Sequence, residues 1–450
     1  MDRNVLHRFF AGTASFEEEE AVCDWVDASD KNREELIRER KYFDVLLLHK
    51  TKNSSMVQSG HRFSLPFVIR ESLKIAAAIS VLLVSALYIS NNVGKSAPVL
   101  EMNKIVVPPV RRPRLENTVR LLGIDSPSGY TENAAKYVQE QFAQMGYDAK
   151  ITRKGGVLID LGGEDTQDAL LLEAHTDTLG GMVAEIKGDG RLRIVNVGGM
   201  NANNAEAENC RVVTKFSGSY EGTLQLINAS VHVNGDYAST KRSWDTVEVV
   251  LDEAVESADD VKALGISVGD FVCFEPRTRV TKSGYIKSRF LDDKLSVGIL
   301  LGLAKFMKDK DLTPRRRVYA HVTVYEEVGH GGAASVPQGV TEAISVDMGC
   351  VGDGLRCTER QVSICAKDSG GPYSYEVVGR LMDAARREKA DYAVDVYPHY
   401  GSDVEATLSA GNDLRHGLIG AGVYASHGYE RSHIDGVWNT LKVLKGYLEI

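Results

Sequence analysis

Apolar and polar positions alternate with different periods in different parts of this chain. Over residues 3 to about 50 the spacing is helical, with Ala21, Val22, Trp25 and Val26 sharing one face. Ser15-Phe16-Glu17-Glu18 is a capping-box pattern, and the acidic run 17–20 suits a helix N-terminus through the macrodipole. Residues 75–90, IAAAISVLLVSALYIS, form the most apolar stretch and carry no polar face. A membrane span needs ~20 such residues, so the run is slightly short and a buried core helix competes with it. Arg62, Arg70 and Lys74 precede it, which under the positive-inside rule puts the N-terminus in the cytoplasm.

From Pro113 the pattern changes. Leu115 to Leu122 reads as a short helix. A second helix starts near Thr131, carries Ala134, Val138, Phe142 and Met145 on one face, and stops at Gly146. Strands follow at 147–152, 156–161 and 169–174, and apolar strands then alternate with helices up to Ile450. This alternation predicts a doubly wound α/β sheet covered by helices on both faces. Between about 183 and 283, short alternating strands such as GTLQLINASVHV and GDFVCFEP are separated by glycines, which predicts a small inserted β domain. The expected organisation is a helical segment at 1–70, a span at 75–90, and a linker or junction at 91–112. The α/β domain follows at 113–182 and 284–450, interrupted by the β insertion at 183–283.

Composition narrows the function. A chain of 450 residues accommodates two or three units. A formal net charge of -9 leaves no basic surplus to neutralise phosphates and excludes a nucleic-acid binder. The six cysteines are scattered without a C-x-x-C pair, so neither a zinc knuckle nor a redox motif is indicated. Met1 to Ala11 lacks the apolar core and cleavage site of a secretory signal.

Chemistry collects where the strands end. In open α/β sheets ligands gather beyond the carboxyl ends of the strands. His175 and Asp177 follow one strand, Asp292 and Asp293 the next, and Glu326 and Glu327 a third; Asp347 and His427 follow two more. Two histidines and several carboxylates, without cysteine, suit zinc, cobalt or manganese. The inventory exceeds the roughly four ligands of one ion. Two ions sharing a carboxylate fit better. Glu326 and Glu327 are adjacent like charges; a division of labour between a ligand and a proton carrier relieves their conflict.

Two resemblances extend this reading. Residues 1–110 resemble the start of FecR-type anti-sigma factors, on FFAGTASFEEEEAVCDWV, the apolar run and NKIVVPPVRR. That implies a sigma factor as partner, a membrane span, and a single-pass inner-membrane location with everything after residue 90 outside the cytoplasm. The likeness stops at Arg112. The chain is either a natural fusion or two reading frames joined near 108–113, in which case the α/β part is cytoplasmic. Residues 113–450 resemble the M42 metallo-aminopeptidases, on LLLEAHTDTLGGMV, SRFLDDKLSVGILL, VYEEVGHGGA, AISVDMG and HGLIGAGVYASHGYERSH. KDSGGPYSYEV, YGSD and ASHGYERSH point within that family to a subgroup linked with an N-acetylglutaminylglutamine amide osmolyte system.

The second resemblance implies two divalent ions, zinc or cobalt, and short peptides as substrates. His175 and Asp347 would hold one ion, Glu327 and His427 the other, and Asp292 would bridge them. Asp177 would orient His175, and Glu326 would be the general base. The peptide bond after Asp292 would be cis, and the β insertion would serve dimerisation within a large homo-oligomer. Asp293 and Asp403 are expected as helix caps, His330 as a turn residue, and His433 with Asp435 at the start of the last helix. Three function classes stand open: a two-metal aminopeptidase, a two-metal deacylase acting on an osmolyte-type dipeptide, and a membrane-bound anti-sigma regulator with a peptidase-like sensing domain. Retention of Glu326 beside the ligands weighs against the third.

Overall fold

The computed structural model describes residues 1–11, ten single positions between 22 and 39, and residues 115–450. The chain divides into two units, Met1–Val107 and Pro108–Ile450. In the first, the helix Arg3–Ala11 is described, and Arg3 donates to Glu39 at 2.7 and 2.9 Å.

Among the described residues no helix is long and apolar enough to cross a membrane. The longest, Leu291–Lys310, opens on Asp292, Asp293 and Lys294 and ends on a lysine-rich turn, while its apolar side chains face the protein core. The expected single-pass inner-membrane location, with the membrane as a partner, is corrected on this finding. The run 75–90 and the junction 91–112 lie outside the described residues, as does most of the FecR-like stretch on which the sigma-factor expectation rests.

The second unit is built on a large mixed sheet. Four strands at its centre run parallel, in the order Arg316–Thr323, Asp165–His175, Val340–Val346 and Arg415–Tyr424. Strands buried on both faces read as continuous apolar runs rather than alternations. Asp165–His175 is of this kind, its last seven residues all buried. Successive side chains point to opposite faces. Leu170 and Leu172 enter the larger core cluster, whereas Leu171 joins Ala343, Leu418 and Val404 in a second cluster. Helices supply the covers. Ala134, Ala135, Val138 and Phe142 of Glu132–Gln144 join the larger cluster, as do Val377, Leu381, Ala384 and Ala385 of Tyr375–Arg387.

Six antiparallel strands between Gly180 and Phe274 close into a barrel that interrupts the α/β unit. Val183, Leu192, Ile194, Val212, Leu224, Val249 and Val272 are buried in it. Closure leaves no unpaired edge to protect.

The amino end of the parallel strands is fastened by one buried carboxylate. Glu342 is fully buried and accepts from Arg316 Nη1 at 2.9 Å, Arg415 Nε at 3.3 Å, the Tyr447 hydroxyl at 2.7 Å, and Arg380. Arg316 and Arg415 open the strands on either side of the pairing, while Arg380 and Tyr447 come from two helices. Burial opposes ionisation of Glu342, but the Tyr447 hydroxyl and the guanidiniums outweigh it and hold its pKa below the ordinary value.

A depressed folded-state pKa contributes stability above the unfolded value, about 4.3 for glutamate, and that contribution is lost as pH falls through the folded value. Glu342→Gln should therefore cost about 3 kcal/mol at pH 7, since it leaves guanidiniums without their buried partner. Melting curves at pH 7 and pH 4 should show the gap to the parent protein narrowing at the lower pH; an equal gap at both would refute the assignment.

Candidate active site

The parallel register brings the carboxyl ends of these strands to one edge. Thr323 pairs with His175, Ser345 with Glu173, and Val346 with Ile419. His175 is the last residue of its strand, and Glu326 and Glu327 follow Thr323 in a short 3-10 turn. That turn is flanked by left-handed residues, Tyr325 at φ 71° and Gly329 at φ 84°. Asp347 directly follows Val346, and its N–H donates to the Ile419 carbonyl at 2.9 Å. Asp292 and Asp293 open the helix Leu291–Lys310 with non-helical torsions, and the bond joining them is cis. His427 lies in the loop between Arg415–Tyr424 and Glu430–His433, with φ 60°.

The seven residues expected at the site are thus brought together. His175 Nδ1 donates to the Asp177 backbone carbonyl at 3.0 Å, with Asp177 Oδ1 3.6 Å away. A carbonyl only accepts, so Nδ1 carries a proton, and Nε2 is the nitrogen whose lone pair the neutral ring would offer. That nitrogen lies 3.1 Å from Asp292 Oδ1 and 3.6 Å from Glu326 Oε2. His427 repeats the arrangement: Nδ1 is 3.3 Å from the Gly199 carbonyl, and Nε2 is 3.5 Å from both Asp292 Oδ2 and Glu327 Oε2. Ligand atoms of His175, Asp292 and Glu327 lie within 4.8 Å of one another, as do those of His175, Asp293 and Asp347.

The Asp177 carboxylate, fully buried, does more than face His175. Oδ1 accepts from the Glu326 N–H at 3.1 Å, and Oδ2 from the Glu327 N–H at 3.3 Å and the Ser128 hydroxyl at 2.5 Å. It holds the glutamate turn from behind. Burial raises the pKa of Glu326 and Glu327, reinforced by neighbouring carboxylates and opposed by His175. Asp347 is pushed up to about 6 by burial and then by Asp292. Hydrogen bonding to Asp292 raises His427 to about 9 against its burial. Glu327 Oε1 and Asp293 Oδ1 are buried with no hydrogen-bond partner among the described residues. Crowded carboxylates with unpartnered oxygens, beside two imidazoles whose Nε2 would become a ligand on giving up its proton, are a donor set suited to divalent cations.

Some contributors were not singled out from the sequence. Buried Glu430 accepts from the N–H of Asp292 and of His427, both at 3.0 Å, and so joins the two residues through their backbones. Its position three residues after His427, inside ASHGYERSH, is the signal that marks it. Asp293 makes no cap; it is buried, and Oδ2 accepts from the His175 N–H at 3.2 Å. Asp403 also makes no side-chain cap and instead accepts from the Thr323 hydroxyl within the core. His330 is exposed and stacks on Tyr325 with ring centroids 5.1 Å apart. His433 caps the last helix by accepting from the Asp435 N–H at 3.0 Å.

Known proteins share this chain's pattern. The profile of the M42 glutamyl aminopeptidase family matches residues 155–443. YhfE of Bacillus subtilis (strain 168), whose name assigns it provisionally to the aminopeptidases, is 41% identical over 338 residues, covering 75% of this chain and 98% of that protein. The aminopeptidase APDkam598 of the archaeon Desulfurococcus kamchatkensis superposes with a TM-score of 0.67 at 21% identity, over 74% of this chain and 94% of its own. The TET1 peptidase of Pyrococcus horikoshii, which can assemble into a tetrahedron or a large octahedral shell, gives 0.65 at 22% identity, over 74% and 98% of the two chains. These likenesses at low identity show a shared fold, and the family match over most of the α/β unit together with YhfE shows more: the chain belongs to the M42 aminopeptidase family of metal-dependent hydrolases.

Proposed function

We propose that the chain removes N-terminal residues from short peptides at a site for two divalent ions, zinc or cobalt, with Glu326 as general base. The observation that carries this reading is the position of Asp292. One carboxylate turns its two oxygens toward two imidazole Nε2 atoms, at 3.1 Å and 3.5 Å, and each imidazole has its Nδ1 proton committed to a backbone carbonyl. His175 and Asp347 would hold one ion, Glu327 and His427 the other, and Asp292 both. Bound there, the ions supply Lewis acidity toward the scissile carbonyl and lower the pKa of water.

The remaining work falls to the protein. Glu326 shares the turn with Glu327, and Asp177 fixes the backbone N–H of both. Glu326 takes the proton from the attacking water and returns it to the leaving amine. Asp177 keeps the base and the neighbouring ligand in register. The barrel supports homo-oligomerisation, a reading supported by the assemblies of the TET1 relative. Light scattering should then give a mass that is a multiple of 49.2 kDa, and a monomer at micromolar concentration would refute it.

Glu326→Gln should lower kcat about 10²- to 10⁴-fold while keeping both ions. Glu327→Gln should lose metal. Elemental analysis beside an assay on free and N-acetylated dipeptides separates these outcomes; equal metal loss in the two variants, or equal turnover of both substrates, would overturn the reading. Asp177→Asn should weaken metal binding about 10- to 100-fold. Calorimetric titration checks this, and unchanged affinity with unchanged kcat would remove Asp177 from the site.

A further inference from the structure

We infer that the barrel connection 198–204 positions His427 and thereby sets the affinity of one ion independently of the other. The inference rests on His427 being a ligand. His427 adopts the left-handed region at φ 60°, uncommon for a residue with a side chain, and its surroundings hold it there. Three contacts do so. Its N–H donates to Glu430 Oε1 at 3.0 Å, its carbonyl accepts from Asn204 Nδ2 at 3.2 Å, and its Nδ1 lies 3.3 Å from the Gly199 carbonyl. Two of these come from the inserted barrel. The Gly199 contact also selects the tautomer that leaves Nε2 free for a metal, a role such outer partners commonly play.

The connection is shaped for this work. A Cβ on Gly199 would lie 2.9 Å from His427 Nδ1 and 3.1 Å from Cε1, so a side chain there would push the ring from its place. The strap is fastened on both sides. Trp244 Nε1 donates to the Met200 carbonyl at 3.2 Å. Buried Arg289, three residues before Asp292, donates to the Asn204 carbonyl and, at 2.6 Å, to Glu208. His175 has no such dependence, because its Nδ1 donates to the Asp177 carbonyl two residues along its own loop. One ligand histidine is set within the α/β unit and the other from the insertion.

The test strips the full-length protein with a chelator and titrates it with Co²⁺, followed by calorimetry and visible absorption. Asn204→Ala and Gly199→Ala should weaken one cobalt equivalent about 10- to 100-fold and shift its absorption band, leaving the other equivalent unchanged. Asn204 is exposed, so its variant should fold even if the Gly199 change disturbs the loop. Val249→Ala, in the barrel interior, is the stability control: it should lower the melting temperature and leave both equivalents intact. The inference is overturned if both equivalents or neither respond to the strap variants, or if Val249→Ala weakens the same equivalent as strongly. His427→Ala separates the two ideas. If it loses no equivalent, the ligand assignment fails; if it loses one while the strap variants lose none, the strap alone fails.

Discussion

Like charge is crowded where four parallel strands end, and most features of the site answer to it. Asp292, Asp293, Glu326, Glu327 and Asp347 converge there with two imidazoles as close partners. Burial makes each carboxylate harder to ionise, and each neighbouring carboxylate makes it harder still, while the imidazoles act the other way and hold Asp292 below its ordinary value. Such a cluster is stable in its charged form only when cations stand among the oxygens. The two unpartnered oxygens, on Glu327 and Asp293, mark where protein donors run out.

The opposite end of the same strands makes the contrast. Glu342 is as deeply buried, yet the Tyr447 hydroxyl and three guanidiniums satisfy it. Its charge is neutralised locally and its role is to fasten strands to helices. An acid satisfied by arginine is structure; an acid cluster left short of donors is a place for a ligand. Both arise from one register, which gathers the amino ends of the strands at one edge and the carboxyl ends at the other.

Around the cluster, the backbone does much of the positioning. Asp177 and Glu430 each accept two backbone N–H groups, from Glu326 and Glu327 in one case and from Asp292 and His427 in the other. Carboxylates in these places fix where the side chains of the site start rather than where they end. The barrel adds a further constraint through Gly199 and Asn204, so the insertion is part of the local architecture of the site.

Residues next to an apolar strand's end were legible from the sequence, because a run such as LLLEA must be buried and whatever follows it emerges at a sheet edge. His175, Glu326, Glu327 and Asp347 belong to this class. Glu430, Asp293 and Asp403 were not legible in their actual roles. A carboxylate near a helix start satisfies local capping rules equally well, and only long-range packing showed Asp293 against His175 and Asp403 against Thr323. The apolar run at 75–90 was read as a span on composition, flanking charge and the FecR-type resemblance, and the inner-membrane location drawn from it did not stand. By itself the sequence determined the strand–helix alternation, the barrel's short glycine-bounded strands and the ends at which polar groups collect, because burial patterns are local. Only the tertiary structure decided which carboxylate faces which imidazole, and that Asp177 and Glu430 grip the backbone, because those contacts join residues up to about 150 positions apart whose distance depends on sheet order and register.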